Sequence, residues 1–204
     1  MTLGMLSSSL LGEMFGTAAM RAVFGEGAFL ARCAEVEAAL ARAQARLGIV
    51  PEAAARAISA AAVAVAADPD SLDLARLKRE TETVGYPILP LVRQLAERAG
   101  TAGHWLHWGA TTQDIMDTAA VLQIRDGLRL IDADLATLRG NLAGLARRYR
   151  DTPMAGRTHL QHALPITFGY KAAVWLAAFD RHAERLAELQ IGRASCRERV
   201  YVLV

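Results

Sequence analysis

Cysteine is nearly absent: the 204 residues include only Cys33 and Cys196, far apart and with no Cys/His ligand set beside either. That excludes a disulfide framework and gives no zinc-site spacing, and a reducing cytoplasm is the expected compartment. Charge of one sign is missing too, since 23 Lys and Arg stand against 21 Asp and Glu for a net charge of +2. So even a balance offers no broad field for a phosphate backbone or an anionic membrane, and nucleic acid is not an expected partner. No uncharged apolar run reaches the roughly 18 to 20 residues that a membrane helix needs. The Ala-rich stretch at 57–67 is too short and too weakly hydrophobic. Near the start Glu13 interrupts the apolar residues and no basic segment precedes them, so nothing there reads as a secretion signal.

Alternating β-branched runs are also lacking, while Ala, Leu, Arg and Glu dominate, so the chain reads as all-α. Phe29, Cys33, Val36, Leu40, Ala43 and Leu47 are spaced four and three alternately, which predicts one amphipathic helix stopping at Gly48. Pro51 opens a second, Ala-rich helix that Asp68, Pro69 and Asp70 close. A third, short helix is expected from about residue 86 or 87 to Ala99, ending at Gly100.

Farther on, the spacing stays unbroken through Val121, Ile124, Leu128, Ile131, Leu135, Leu138, Leu142, Leu145 and Tyr149. One helix over about 113–150 would be roughly 55 Å long at 1.5 Å per residue, and it needs partners along its whole length. A second seam, Phe168, Ala172, Trp175, Phe179, His182, Leu186 and Leu189, follows Pro165. Two long helices joined by a polar loop make an antiparallel pair, half of a bundle. The expected organisation is a small helical domain at 1–105, the first part of a long-helix bundle at 106–190, and a tail at 191–204.

Two polar segments interrupt this regularity. The first is His107-Trp108-Gly109-Ala110-Thr111-Thr112-Gln113-Asp114, where Gly109 permits a tight backbone and the threonines stand at the start of the long helix. Hydroxyls and free backbone N–H groups there suit a carboxylate, although Thr111 or Thr112 serves equally as a plain N-cap with Asp114 favouring the helix dipole. The second is Gly156-Arg157-Thr158-His159-Leu160-Gln161-His162-Ala163, which holds two of the five histidines. A positioned His159 can give or take a proton near neutrality; the plainer alternative is a loop histidine bonded to backbone. No Ser-His-Asp order, phosphate-cradling glycine loop or metal-ligand spacing competes with it.

Together these strings resemble the first and second signature regions of the fumarase/aspartase superfamily. The first, continuing through Ile115, Met116, Asp117 and Thr118, is closest to the 3-carboxy-cis,cis-muconate cycloisomerases, with a related form in adenylosuccinate lyases. The second continues through Pro165, Thr167 and Gly169 to Lys171, and weaker similarity extends the resemblance over roughly residues 10 to 190. It implies an all-α fold, a homotetramer whose long helices pool into a central bundle, and active sites built from three chains. The implied chemistry is acid/base addition or elimination beside a carboxylate of a small polycarboxylate, with no metal or organic cofactor. Carried over, His159 is the candidate general acid/base; Thr158 and Gln161 orient it or contact substrate. Thr111, Thr112 and Gln113 hold a substrate carboxylate, and His107 matches a second active-site histidine of the adenylosuccinate lyases.

Thr112 stands where many relatives have serine, and His159 where several muconate cycloisomerases have tryptophan, so a fumarate-releasing lyase stays open. Residues 80–86 lack the His-Asp pair of adenylosuccinate lyases, which argues against a purine nucleotide substrate. The third signature region, a Gly-Ser-Ser loop with the catalytic base serine, is not in the chain. The expectation is that the native protein continues for another two hundred residues or so, that the tail from Ile191 resembles read-through, and that Ser195 is not the base. Two other readings remain, a noncatalytic helical oligomerisation module and a fragment that does not fold stably because its bundle seams are uncovered.

Overall fold

The computed structural model describes residues 12–191; Ser195 and nearly all of the expected tail lie outside the described residues. The described residues carry seven α-helices and one two-stranded hairpin: α1 Ala18–Val23, α2 Glu26–Arg46, α3 Glu52–Ala67, α4 Leu74–Val84, α5 Ile88–Ala99, α6 Thr112–Arg148, β1 Pro153–Thr158, β2 Gln161–Thr167 and α7 Phe168–Ile191. The architecture is all-helical, as the periodicity predicts, and it falls into two compact units, at 12–127 and 128–191. Among the described residues no helix is long and apolar enough to cross a membrane.

In the first unit α2 and α3 lie side by side. Their facing surfaces are mostly small: Ala34, Ala38 and Ala41 from α2 and Ala55 and Ala62 from α3 are buried, with Leu30 and Ile58 filling the space between. Alanine faces let backbones approach closely, and each larger aliphatic chain fully withdrawn from water adds about 1.5–3 kcal/mol. Ile88, Leu91 and Leu95 of α5 complete this core, and Ile115 and Ala119 of α6 join it. The junction of α6 with the small helices is also polar: Gln123 donates through Nε2 to the Val23 carbonyl at 2.8 Å, and Arg32 pairs with Asp126 at 2.5 Å.

Helix α4 was not foreseen from the hydrophobic pattern. Among its residues only Leu77 is buried. Its order comes from its ends and its charges: Asp73 accepts from the Arg76 amide at 2.8 Å, Gly85 closes it at φ 92°, and Arg76 bridges Glu80 and Glu97.

In the second unit α6 and α7 run antiparallel. Ala146 meets Gly169, Arg139 pairs with Asp180 at 2.6 Å, and farther along Ile131 and Leu135 face Leu186 and Leu189 across an apolar groove. Along the predicted seam of α6, Leu135 and Leu142 are buried while Ile131 and Leu138 stay exposed, as do Val174 and Trp175 on α7. Two helices bury one stripe each, so the rest of a bundle-sized apolar face is left open.

The connection between the long helices, read from sequence as a polar loop, is an antiparallel hairpin with a register shift between Ala155 and Arg157. Its strands are mostly exposed and poor in β-branched residues, so neither alternation nor propensity marks them. Backbone pairing alone supplies the order.

Candidate functional site

The turn before α6 is held from below by α2. His107 lies at φ 59°, a backbone region that side chains other than glycine rarely occupy, and Gly109 follows at φ 70°. Two polar side chains on the core face of α2 secure this turn. Glu37 places Oε1 2.5 Å from His107 Nδ1, and Gln44 donates through Nε2 to the Trp108 carbonyl at 2.6 Å. The Glu37 side chain is 0% exposed and the His107 ring 20%. The ion-paired hydrogen bond to Glu37 raises the imidazole's pKa; burial opposes this, and the charges of Glu37 and Asp114 add to the rise. Nearby, burial and then the charge of Glu37 push the Cys33 thiol up to about 12, so it stays protonated and unreactive.

At the mouth of α6, Thr111 occupies the N-cap position, and its amide donates to Asp114 Oδ2 at 3.0 Å, the reciprocal half of a capping box. Thr111 and Gln113 are exposed and Thr112 is half-buried. The Gln113 amide donates to Asp117 Oδ1 one turn on, at 2.6 Å. Hydroxyls and an amide at a helix N-terminus, beside a histidine that favours its charged form, make this turn suited to a carboxylate.

His159 stands at the tip of the hairpin. Thr158 pairs with Gln161, leaving His159 and Leu160 as a two-residue turn with φ 43° and 64°. Two successive positive φ values define the turn type that usually selects Asn-Gly. Finding His-Leu there means the tip is held against local preference, at a cost of order 1–3 kcal/mol per residue. Thr158, His159, Gln161 and His162 are all exposed, and Leu160 is fully so. Replacing Leu160 by glycine should relieve that strain and raise Tm by several degrees, the equivalent of about 1 kcal/mol; a thermal melt checks this, and a fall in Tm would mean the backbone is not strained.

The candidate residues are thus grouped in two sets. His107, Thr111, Thr112 and Gln113 share one turn of the first unit, and Thr158, His159 and Gln161 share the hairpin tip of the second. Glu37 and Gln44 were not foreseen. The available signal was the carboxylate of Glu37 in register with Cys33 and Ala41 on the buried stripe of α2, where an amphipathic helix ordinarily places apolar groups, with the half-buried Gln44 following on the same side.

The described fold is a set of helices with one polar turn before the longest of them and one exposed histidine at a hairpin tip, and the comparisons with known proteins give its family. Residues 15–195 match the family model described as Lyase, and the chain belongs to this family, the fumarase/aspartase superfamily. It is 41% identical over 181 residues to N-acetyl-S-(2-succino)cysteine lyase of Enterococcus italicus, covering 89% of this chain and 39% of that one. It is 43% identical over 188 residues to 3-carboxy-cis,cis-muconate cycloisomerase of Pseudomonas putida, covering 90% and 43%. The crystal structure of a fumarate lyase from Mesorhizobium sp. BNC1 superposes with a TM-score of 0.77 at 66% identity, covering 83% of this chain and 39% of that one. The chain therefore spans about 40% of the length of these relatives.

Proposed function

We propose that the protein acts on a small polycarboxylate by acid/base addition or elimination beside a carboxylate, as a cycloisomerase of the 3-carboxy-cis,cis-muconate type. The observation that carries this is the hairpin tip: an exposed imidazole, at a strained position, flanked by the hydroxyl of Thr158 and the amide of Gln161. Nothing in the packing of the hairpin calls for a histidine there. The difficult step is proton transfer at carbon next to a carboxylate, which builds a second negative charge on that group. Donors already in place stabilise the charge better than water, because they need not reorganise as it develops. In this reading Thr111, Thr112, Gln113 and His107 hold the carboxylate. His159 exchanges the proton of the departing or attacking oxygen, and Thr158 and Gln161 orient its ring.

The two sets meet, in this proposal, across chains of a homotetramer assembled along the uncovered seams of α6 and α7. A serine from the family's third signature region supplies the opposing base. Substituting Thr112→Val in the full-length protein keeps the shape and removes the hydroxyl. KM for the acid should rise about tenfold, the worth of one hydrogen bond to a charged group, and an unchanged KM would remove the first turn from substrate binding.

A fumarate-releasing lyase is the second reading, favoured by His159 itself and by the likeness to the succinocysteine lyase. Product analysis separates the two, because one gives a lactone from a single substrate and the other splits its substrate and liberates fumarate.

A further inference from the structure

Glu37 is an expensive residue to keep where it is. Its side chain is 0% exposed, it faces the alanine-lined core between Cys33 and Ala41, and its Oε2 is buried with no hydrogen-bond partner among the described residues. An alanine or leucine would pack there without stranding a polar atom. Its one hydrogen-bond partner among the described residues is His107, through Oε1 and Nδ1 at 2.5 Å, and His107 itself is held at φ 59°. A buried carboxylate spent on one imidazole in a strained turn has the form of a device for orienting that ring.

We propose that Glu37 is a positioning residue for substrate binding: by engaging Nδ1 of His107 it turns Nε2 toward a carboxylate of the bound acid and keeps the ring a donor at both nitrogens. This rests on the reading of His107 as a substrate-binding residue. With Nδ1 committed to α2, Nε2 is the polar ring atom left to meet a ligand, and only the imidazolium donates from both ends. The ionisable groups acting on the ring are Glu37 from α2 and Asp114 from the first turn of α6, and the protonated Cys33 thiol lies near Glu37. Both carboxylates favour the charged ring, so its cationic form extends to higher pH than an ordinary histidine's. Binding of the anionic substrate is then retained to higher pH than an ordinary histidine would allow and weakens as pH passes the raised value.

Residue-resolved histidine C2 hydrogen–deuterium exchange, read by mass spectrometry on the full-length enzyme, tests this directly. The expected midpoint for His107 lies above the ordinary value of about 6.5. An ordinary or lower midpoint in the unaltered enzyme overturns the proposal, whether or not any variant folds. In Glu37→Gln the midpoint should fall toward the ordinary value. KM should rise about tenfold at pH 8 yet stay near the unaltered value at pH 6, a pattern that loosened packing would not give. Equal KM changes at both pH values would contradict it. His107→Asn separates the proposal from its premise. If that variant leaves KM unchanged, His107 does not bind substrate and the premise fails; if it raises KM while Glu37→Gln does not, the Glu37 role alone fails.

Discussion

His159→Gln in the full-length protein is expected to lower kcat by about two to four orders of magnitude, the range that a positioned general acid or base contributes. KM should change little. Glutamine retains an amide that can donate and accept a hydrogen bond, but it cannot deliver or take up a proton near neutral pH. The position is well suited to such a test, because His159 is exposed at a hairpin tip and its removal leaves no cavity. Folding and assembly should therefore survive, with Tm unchanged or slightly raised. Loss of one limb of the kcat pH profile should accompany the loss of rate. Turnover within a factor of about three of the unaltered protein would reduce the hairpin to a connector and leave the chemistry without its acid.

The second large effect is structural. Gly169→Ala should destabilise the protein by about 1–3 kcal/mol, and by more if the helices cannot shift. A Cβ at this position would lie 2.6 Å from the Ala146 carbonyl oxygen and 2.6 Å from Arg150 Cα, backbone atoms that no side-chain rotation can move aside. The glycine closes the junction where α7 leaves the hairpin and packs on the end of α6, and its amide donates to the Tyr149 carbonyl at 2.8 Å. The Tyr149 and Phe168 rings lie 5.2 Å apart at the same junction. Forcing it open re-aims the hairpin, so kcat should fall along with Tm. A variant with native Tm would show that the helix ends have room the packing does not suggest.

How much of this was legible in the sequence depended on which force fixed each element. The long helices were legible because their order comes from an apolar period. The spacing predicted a helix over 113–150 and the fold has Thr112–Arg148; Pro51 and Asp68 bracketed α3 as expected. Helix α4 was not, because its stability resides in an N-cap, a left-handed glycine and ion pairs among Arg76, Glu80 and Glu97, none of which leaves a hydrophobic signature. The hairpin escaped for a related reason, its strands being ordered by backbone pairing rather than by a buried face. At the first turn the threonines, Gln113 and His107 could be singled out from composition and from the resemblance. What the sequence did not reveal was why the turn holds its shape: Glu37 and Gln44 reach it from 70 and 64 residues away. A long-range polar contact of this kind has no local period to announce it.

The central claim is that the threonine turn and the hairpin histidine serve one bound acid. A crystal structure of the full-length assembly with a slowly reacting tricarboxylate measures this most directly. The expected result is one ligand whose carboxylate meets the Thr111–Gln113 turn of one chain while His159 of another lies within hydrogen-bond reach of its reacting atom. Density for the ligand at one turn with His159 remote from it in every chain would contradict the claim.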